Sequence, residues 1–196
     1  LERPDRLLMW KSDRISIFDF VLPALVRDKG SILTAMTILW LEKVFRNFQD
    51  HLIRYGTGID VDLPAQLCNR PSIRQRAIVI KRMATPDIEC IVRGYLAGTG
   101  LKAYQETQLV CGHHLPAGLH DGSPLPQAIF TPSTKAQVGH DEHIDYRSVR
   151  DTHGMVPELI SLAVYRQAQE YALSRGIIIA DTKLELGPNG EIIDEV

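Results

Sequence analysis

The sequence predicts an α+β fold, and three observations carry that prediction. Apolar runs of strand length interleave with two segments of helical periodicity, without the strict βαβ rhythm of a parallel sheet. The last twenty residues read as a β-hairpin. With 196 residues and 44% hydrophobic content, the chain can bury the core of one large domain or two small ones.

Taken in order, Arg6-Leu-Leu-Met-Trp10 reads as a strand. Ser31 can cap a helix running to about Gln49, with Leu33, Met36, Trp40, Val44 and Phe48 recurring at core-facing spacing. From His51 to Ser72, Gly56, Gly58, Pro64 and Pro71 interrupt any period, so this stretch reads as loop with short strands. Ala77 to Met83 is a strand, and Glu89 to Gly100 is another that ends in glycines. Thr85-Pro86-Asp87 between them is the candidate joint. It separates a smaller β-rich lobe with one long helix, residues 1–83, from an α+β lobe, residues 84–196. Leu109 to Ser148 shows little periodicity and reads as a long ordered loop. Val156 to Arg175 is the second helix, with Leu159, Leu162, Ala163, Ala168 and Tyr171 on or near one stripe and Gly176 at its end.

The chemistry concentrates at the end. Ile177 to Ala180 reads as a buried strand that passes into an alternating segment, and Gly187-Pro-Asn-Gly190 turns the chain back. Period two places Asp181, Lys183 and Glu185 on one face and Thr182, Leu184 and Leu186 on the other. Pairing Leu186 with Glu191 sets Lys183 opposite Asp194, so that Asp194 joins the charged face. Three carboxylates within diagonal reach of about 7–8 Å suit magnesium, a hard cation that arrives with phosphates. A solvated face is the plainer reading. The buried run feeding the charges, and the mutual repulsion of close carboxylates, weigh against it.

Four further segments group polar side chains. Ser12 to Asp19 can line a pocket or form an ordinary turn with a local Asp–Arg pair. Arg93 offers a fork for an anion, and Gly94, Gly98, Thr99 and Gly100 let backbone approach one. Phe130 to Lys135 brings three hydroxyls and a cation together, as an anion contact or a surface turn. His140-Asp-Glu-His143 is a poor zinc site, since the further ligands of a tetrahedral set are missing.

The remaining numbers exclude whole classes. A net charge of −2 without a basic block argues against nucleic acid. No apolar stretch approaches the roughly 20 residues of a membrane span, and no leader-like segment opens the chain, so a cytoplasmic protein is expected. Cys68, Cys90 and Cys111 are odd in number and widely spaced, as reduced structural cysteines are.

Read together, these segments resemble the phosphoribosylaminoimidazole-succinocarboxamide synthase, or SAICAR synthetase, family. The likeness is collinear over nearly the whole chain. It is carried by Asp13-Arg-Ile-Ser-Ile-Phe-Asp19, Asp28-Lys-Gly30, Ile88-Glu-Cys-Ile-Val-Arg93-Gly-Tyr-Leu-Ala-Gly98, Ile129-Phe-Thr-Pro-Ser-Thr-Lys135-Ala and Arg175-Gly-Ile-Ile-Ile-Ala-Asp181-Thr-Lys183-Leu-Glu185. The resemblance implies a two-lobed α+β fold with an ATP-grasp-like C-terminal lobe. It also implies an ATP-dependent ligase that joins L-aspartate to carboxyaminoimidazole ribonucleotide (CAIR) through an acyl phosphate, with Mg2+, small-molecule partners only, and a monomer or homodimer.

By position, the resemblance makes Asp181, Glu185 and Asp194 the magnesium and nucleotide-phosphate carboxylates, with Lys183 acting alongside Asp181 and Glu185 in catalysis. Lys81, Arg82 and Met83 fall beside the adenine. Arg93 and Thr99 fall at the ribonucleotide phosphate, Ser16 and Asp19 at the substrate-pocket turn, and Ser133 and Lys135 along the same cleft. The chain departs from the family pattern at Thr99 (usually Ser), Pro86 (usually one position later), Leu186 (usually Phe) and His143 (usually Asn). The family's glycine-rich, lysine-bearing hairpin would precede Leu1, and a Thr-Pro-Asp-Ser-Ser-Arg segment would follow Val196. The chain therefore reads as truncated at both ends, and a catalytically inactive nucleotide-binding fragment is the alternative expectation.

Overall fold

The computed structural model describes residues 3–17, 20–135 and 141–195. It divides into two compact units, Leu1–Ala84 with Asp194–Val196, and Thr85–Ile193.

The first unit is built on a three-stranded antiparallel sheet of β1 (Arg6–Trp10), β5 (Ala77–Lys81) and β4 (Leu52–Tyr55), with β5 central. β5 is buried on both faces through Ala77, Ile78, Val79 and Ile80, as its unbroken apolar run requires. Ile59, Ala77 and Val79 form a core closed by Leu8, Ile53, Leu63 and Ile73. A separate two-stranded ribbon pairs β2 (Arg14–Ile17) with β3 (Phe20–Leu25).

Helix α1 (Lys29–Leu39) departs from expectation at both ends. Asp28, in a left-handed conformation, precedes it, and the Ser31 hydroxyl donates to the Asp28 carbonyl at 2.9 Å rather than capping the helix. Beyond Leu39 the chain winds into a π-turn, Trp40–Val44, in which Phe45 N–H donates to the Trp40 carbonyl at 2.7 Å and the two rings stack. The buried residues are Gly30, Thr34, Thr37, Leu41 and Val44, while Met36 is exposed. The stripe is rotated because Lys11 is buried and needs a hydroxyl: its Nζ donates to Thr37 Oγ1 at 2.7 Å. Glu195 lies 3.5 Å from the same ammonium. Burial pulls the Lys11 pKa down, and Glu195 and Asp194 push it back.

His51 is also buried, and its Nε2 has no hydrogen-bond partner. Desolvation lowers its pKa to about 4. A short one-turn helix, α2 (Pro71–Arg74), precedes β5.

The second unit centres on β6 (Ile88–Tyr95). Its sheet runs β10 (Ser133–Thr134), β6, β11 (Asp181–Leu186), β12 (Ile192–Ile193), with β9 (Pro124–Phe130) pairing further along the edge of β6 that β10 uses. Helix α3 (Gly98–Thr107) follows β6, and a small hairpin joins β7 (Leu109–Val110) to β8 (His113–His114). Among its described residues, the stretch expected as one long loop thus holds four strands and the start of α4 (Tyr146–His153). Pro124 and Pro126 hid β9, and both are tolerated because an edge strand leaves one row of donors unused.

Helix α5 (Val156–Leu173) covers this sheet with Pro157, Ser161, Val164, Tyr165, Ala168 and Ala172, a stripe rotated from the expected one; Leu159 is exposed. The cause is Tyr165, which is fully buried over Gly94 and donates its hydroxyl to the Ile179 carbonyl at 2.8 Å. Ile177 and Ile178 are exposed and in no strand, so the expected buried run before the charged segment is not formed. The strand starts instead at Asp181, after the Ala180 carbonyl accepts from both Gly94 and Tyr95 N–H.

The terminal hairpin pairs Leu186 with Ile192 and Glu185 with Ile193, one residue off the expected register. Glu191 is taken into the loop, which Gly187 N–H closes by donating to the Glu191 carbonyl at 2.7 Å. The Glu191 carboxylate folds back to accept from Asn189 N–H and Nδ2, each at 2.9 Å. A one-residue slip exchanges the two faces. Asp194, at φ 64, leaves the strand and does not join the charged face.

Two outcomes follow. A Cβ at Gly94 would overlap the Tyr165 hydroxyl, so Gly94→Ala is expected to lower unfolding free energy by about 1–3 kcal/mol, read from urea denaturation; an unchanged midpoint would show that α5 does not press on β6. His51 is neutral in the folded state well below its ordinary range, whereas the unfolded chain takes up the proton near pH 6.5. Stability should therefore be unaffected by His51 above that pH, fall as pH drops from 6.5 towards about 4, and level off below. His51→Gln should flatten that fall.

Candidate functional site

β6 and β11 are antiparallel, with Arg93 opposite Asp181 and Lys183 opposite Ile91. Opposed residues share a face, so Glu89, Ile91 and Arg93 line up with Asp181, Lys183 and Glu185. Gly94, one step out of phase, turns to α5 on the other side. The hairpin's charged residues thus belong to a broader polar face to which β6 adds Glu89 and Arg93.

Three ion pairs interlock there. Arg93 is 5% exposed; its Nη1 donates to Asp181 Oδ2 and its Nη2 to Thr99 Oγ1, both at 2.9 Å, while Nε has no partner. Lys183 Nζ donates to Glu89 Oε1 at 2.6 Å, and the hydroxyl of buried Ser133 donates to the other Glu89 oxygen at 3.4 Å. Lys135 Nζ donates to Glu185 Oε1 at 2.5 Å. Desolvation pulls the Lys183 pKa down, but the bond to Glu89 and the charges of Glu89, Asp141 and Glu185 outweigh it, and the net shift is upward. Lys183 is a permanent cation at neutral pH.

Beside Arg93, left-handed Gly98 (φ 57) starts α3, with Ala97 at its N-cap providing no side-chain cap. Gly100 lies against the Arg93 side chain, and a Cβ there would come within 3.1 Å of it. Thr99 Oγ1 sits 3.2 Å from His143 Nε2. His143 forms an antiparallel bridge with Ser133, flanked by Thr134 N–H to Glu142 O and Ile144 N–H to Pro132 O, each at 2.9 Å. Desolvation, then the Arg93 charge, lowers the His143 pKa below its usual value.

Of the expected site residues, Asp181, Lys183, Glu185, Arg93, Thr99, Ser133 and Lys135 all fall in this unit; Arg93 joins Asp181 and Thr99, Lys135 joins Glu185, and Lys183 and Ser133 meet on Glu89. Ser133 is spent on Glu89 rather than aimed at solvent. Ser16 lies exposed in β2, paired with Val21, and Asp19 falls outside the described residues, as does His140. Lys81 ends β5 with Nζ donating to the Asp50 carbonyl at 3.2 Å, and Arg82 Nε donates to the Pro4 carbonyl at 2.9 Å. Met83 is half-buried just beyond them. Asp194 belongs to the first unit. Glu89 and His143 were not among the expected site residues. Glu89 had a signal: a lone acid, four residues before Arg93 in an apolar strand, must share its face.

Among the described residues, no three His, Cys, Asp or Glu side chains are gathered as a metal site, and no helix is long and apolar enough to cross a membrane. What the face offers is cations already paired with acids, beside backbone N–H groups at a helix start. That arrangement suits phosphate-bearing ligands taken up by exchange of partners.

The family model for SAICAR synthetase matches residues 1–196. Phosphoribosylaminoimidazole-succinocarboxamide synthase of Methylobacillus flagellatus is 46% identical over 205 residues, covering 97% of this chain and 66% of that protein. The enzyme of the same name from Polaromonas sp. is 44% identical, covering 98% of this chain and 65% of its own length. The SAICAR synthase of Saccharomyces cerevisiae complexed with SAICAR superposes with a TM-score of 0.88 at 31% identity, over 99% of this chain and 68% of that one. A SAICAR synthetase (Type-2) in complex with ADP shares the fold at a TM-score of 0.71 and 22% identity, over 99% of this chain and 75% of that one. The α+β architecture is that of these enzymes, and the chain belongs to the SAICAR synthetase family. It spans just under two thirds of the length of the first two relatives.

Lys183→Met would strand the Glu89 carboxylate, whose side chain is only 7% exposed. An expected loss of about 1–3 kcal/mol should be largely recovered in Lys183→Met/Glu89→Gln. Additive losses in a double-mutant cycle by urea denaturation would show that the two side chains do not interact.

Proposed function

We propose that the chain carries the catalytic face of an ATP-dependent ligase that joins L-aspartate to CAIR, giving SAICAR, ADP and phosphate in purine biosynthesis. The observation that supports this best is the interlocked set Arg93–Asp181, Lys183–Glu89 and Lys135–Glu185 on one sheet face. The names of the relatives and the SAICAR held by the yeast structure agree with it.

The chemistry needs charge control above all. A substrate carboxylate oxygen attacks the γ-phosphorus of ATP and ADP leaves, giving an acyl phosphate. The aspartate amine then attacks the acyl carbon, an amide bond forms, and phosphate departs. Phosphoryl transfer relies mainly on positioning and neutralisation. Lys183, kept protonated by Glu89, faces the carboxylate and phosphate oxygens, and Lys135 exchanges Glu185 for phosphate. Arg93 and Thr99 hold the ribonucleotide phosphate, while Ser133 fixes Glu89 from behind. The adenine role of Lys81 to Met83 and the substrate role of Ser16 and Asp19 are assigned from the family resemblance alone.

Magnesium commonly takes one or two protein carboxylates and fills its shell with water and phosphate oxygens; Asp181 and Glu185 stand four residues, roughly 13 Å, apart along β11, so each would hold an ion of its own rather than share one. When bound, it would draw off charge from the nucleotide phosphates. Asp194, shifted off the charged face by the hairpin register, is not included.

A second reading rests on the length comparison: a module that binds nucleotide without turnover. The deciding experiment measures Mg·ATP binding by calorimetry, followed by ADP release with and without aspartate and CAIR. The ligase reading expects release only when both are present, and its loss by more than about 100-fold in Asp181→Asn or Glu185→Gln. Binding without release favours the module. Near-normal turnover in either variant would remove the metal assignment.

A further inference from the structure

Thr99 and His143 lie 44 positions apart in the chain, yet the structure puts them in contact at 3.2 Å. Thr99 Oγ1 already accepts from Arg93 Nη2, so its single proton is available for His143 Nε2 when that nitrogen carries a lone pair. Once the imidazole is protonated, Nε2–H becomes a donor and the threonine loses its acceptor. The changed hydrogen bond then favours a third, anionic partner between Arg93, Thr99 and the histidine. The backbone clamp on either side of His143 holds it in place for that role, and the partnerless Nε of the nearly fully buried Arg93 marks donor capacity still unused.

We propose that His143 is a third ligand for the anion held by Arg93 and Thr99, adding a positive charge on protonation, so that the site grips a phosphomonoester dianion more tightly as pH falls. This deepens the ribonucleotide reading above and rests on it for the identity of the anion.

Among the described residues, the groups facing His143 are few. Arg93 of β6 supplies the nearby positive charge, Thr99 of α3 a neutral hydroxyl, and Ser133 of β10 a backbone partner. On its own segment, Asp145 accepts from Arg147 N–H, and the Asp141 charge acts on Lys183. Lys135, just past β10, is paired with Glu185. Without ligand, partial desolvation of the otherwise exposed ring and the Arg93 charge keep the imidazole neutral to a lower pH than usual. A bound dianion reverses the balance. The added affinity is full below the free pKa and is lost as pH rises through the ligand-bound one.

The test follows the His143 imidazole of the 196-residue chain by NMR between about pH 5 and about pH 8. It is titrated alone, with inorganic sulfate, whose charge is constant over this range, and with an aminoimidazole ribonucleoside 5′-monophosphate. The expectation is that both anions raise the His143 pKa and that sulfate affinity weakens about tenfold across the range. His143→Asn, which keeps a donor but no charge, should abolish that dependence. If both anions bind and neither moves the His143 titration, the inference is overturned and the ribonucleotide reading stands. If sulfate moves it but the ribonucleotide does not bind at any pH, the anion site stands and the substrate reading falls. If neither binds, both fall.

Discussion

A guanidinium that cannot give up its proton sits almost wholly buried in the middle of a five-stranded sheet, and much of the second unit is arranged around that constraint. Arg93 is tolerable only because β11 delivers Asp181 directly opposite it, 88 residues later in the chain. That register in turn fixes the rest of β11. With Asp181 on Arg93, Lys183 must reach Glu89 and Glu185 must turn to Lys135. Packing on the other side serves the same alignment: Gly94 admits Tyr165, whose hydroxyl holds Ile179 just ahead of the strand.

Such a face is organised before any ligand arrives. Each pair has one poorly exposed member, Arg93, Glu89 or Glu185, satisfied by an opposite charge in the resting state, so none incurs the full cost of being buried alone. On the proposed reading, an incoming phosphate would replace a carboxylate instead of stripping water from an isolated charge. Removing one partner from a buried pair is more disruptive than exchanging it for another anion. On that reading, stability and ligand binding draw on the same side chains.

Much of this was legible in the sequence, and the gaps have physical causes. Period two alone put Asp181, Lys183 and Glu185 together, because alternation survives any choice of partner strand. The hairpin register did not follow from the turn residues, since Glu191 closes the loop with its own carboxylate and lengthens it by one. The stripes of α1 and α5 were read one step off for a related reason. Buried Lys11 draws Thr37 inward and Gly94 makes room for Tyr165, and both pairings join residues far apart in the chain. β9 was hidden by prolines that only an edge position can accept. Glu89 was visible in principle from its spacing to Arg93; the contact of His143 with Thr99 depends on a backbone bridge to Ser133 that no local pattern announces.

The central claim is that these ion pairs are exchanged for ligand phosphates. A crystal structure of the chain with Mg·ADP and an aminoimidazole ribonucleotide would test it most directly. Exchange would place the ribonucleotide phosphate on Arg93 and Thr99, a magnesium ion on each of Asp181 and Glu185, and the Lys183 and Lys135 ammonium groups against phosphate or carboxylate oxygens. Ligands bound elsewhere, with all three protein ion pairs unchanged, would contradict it.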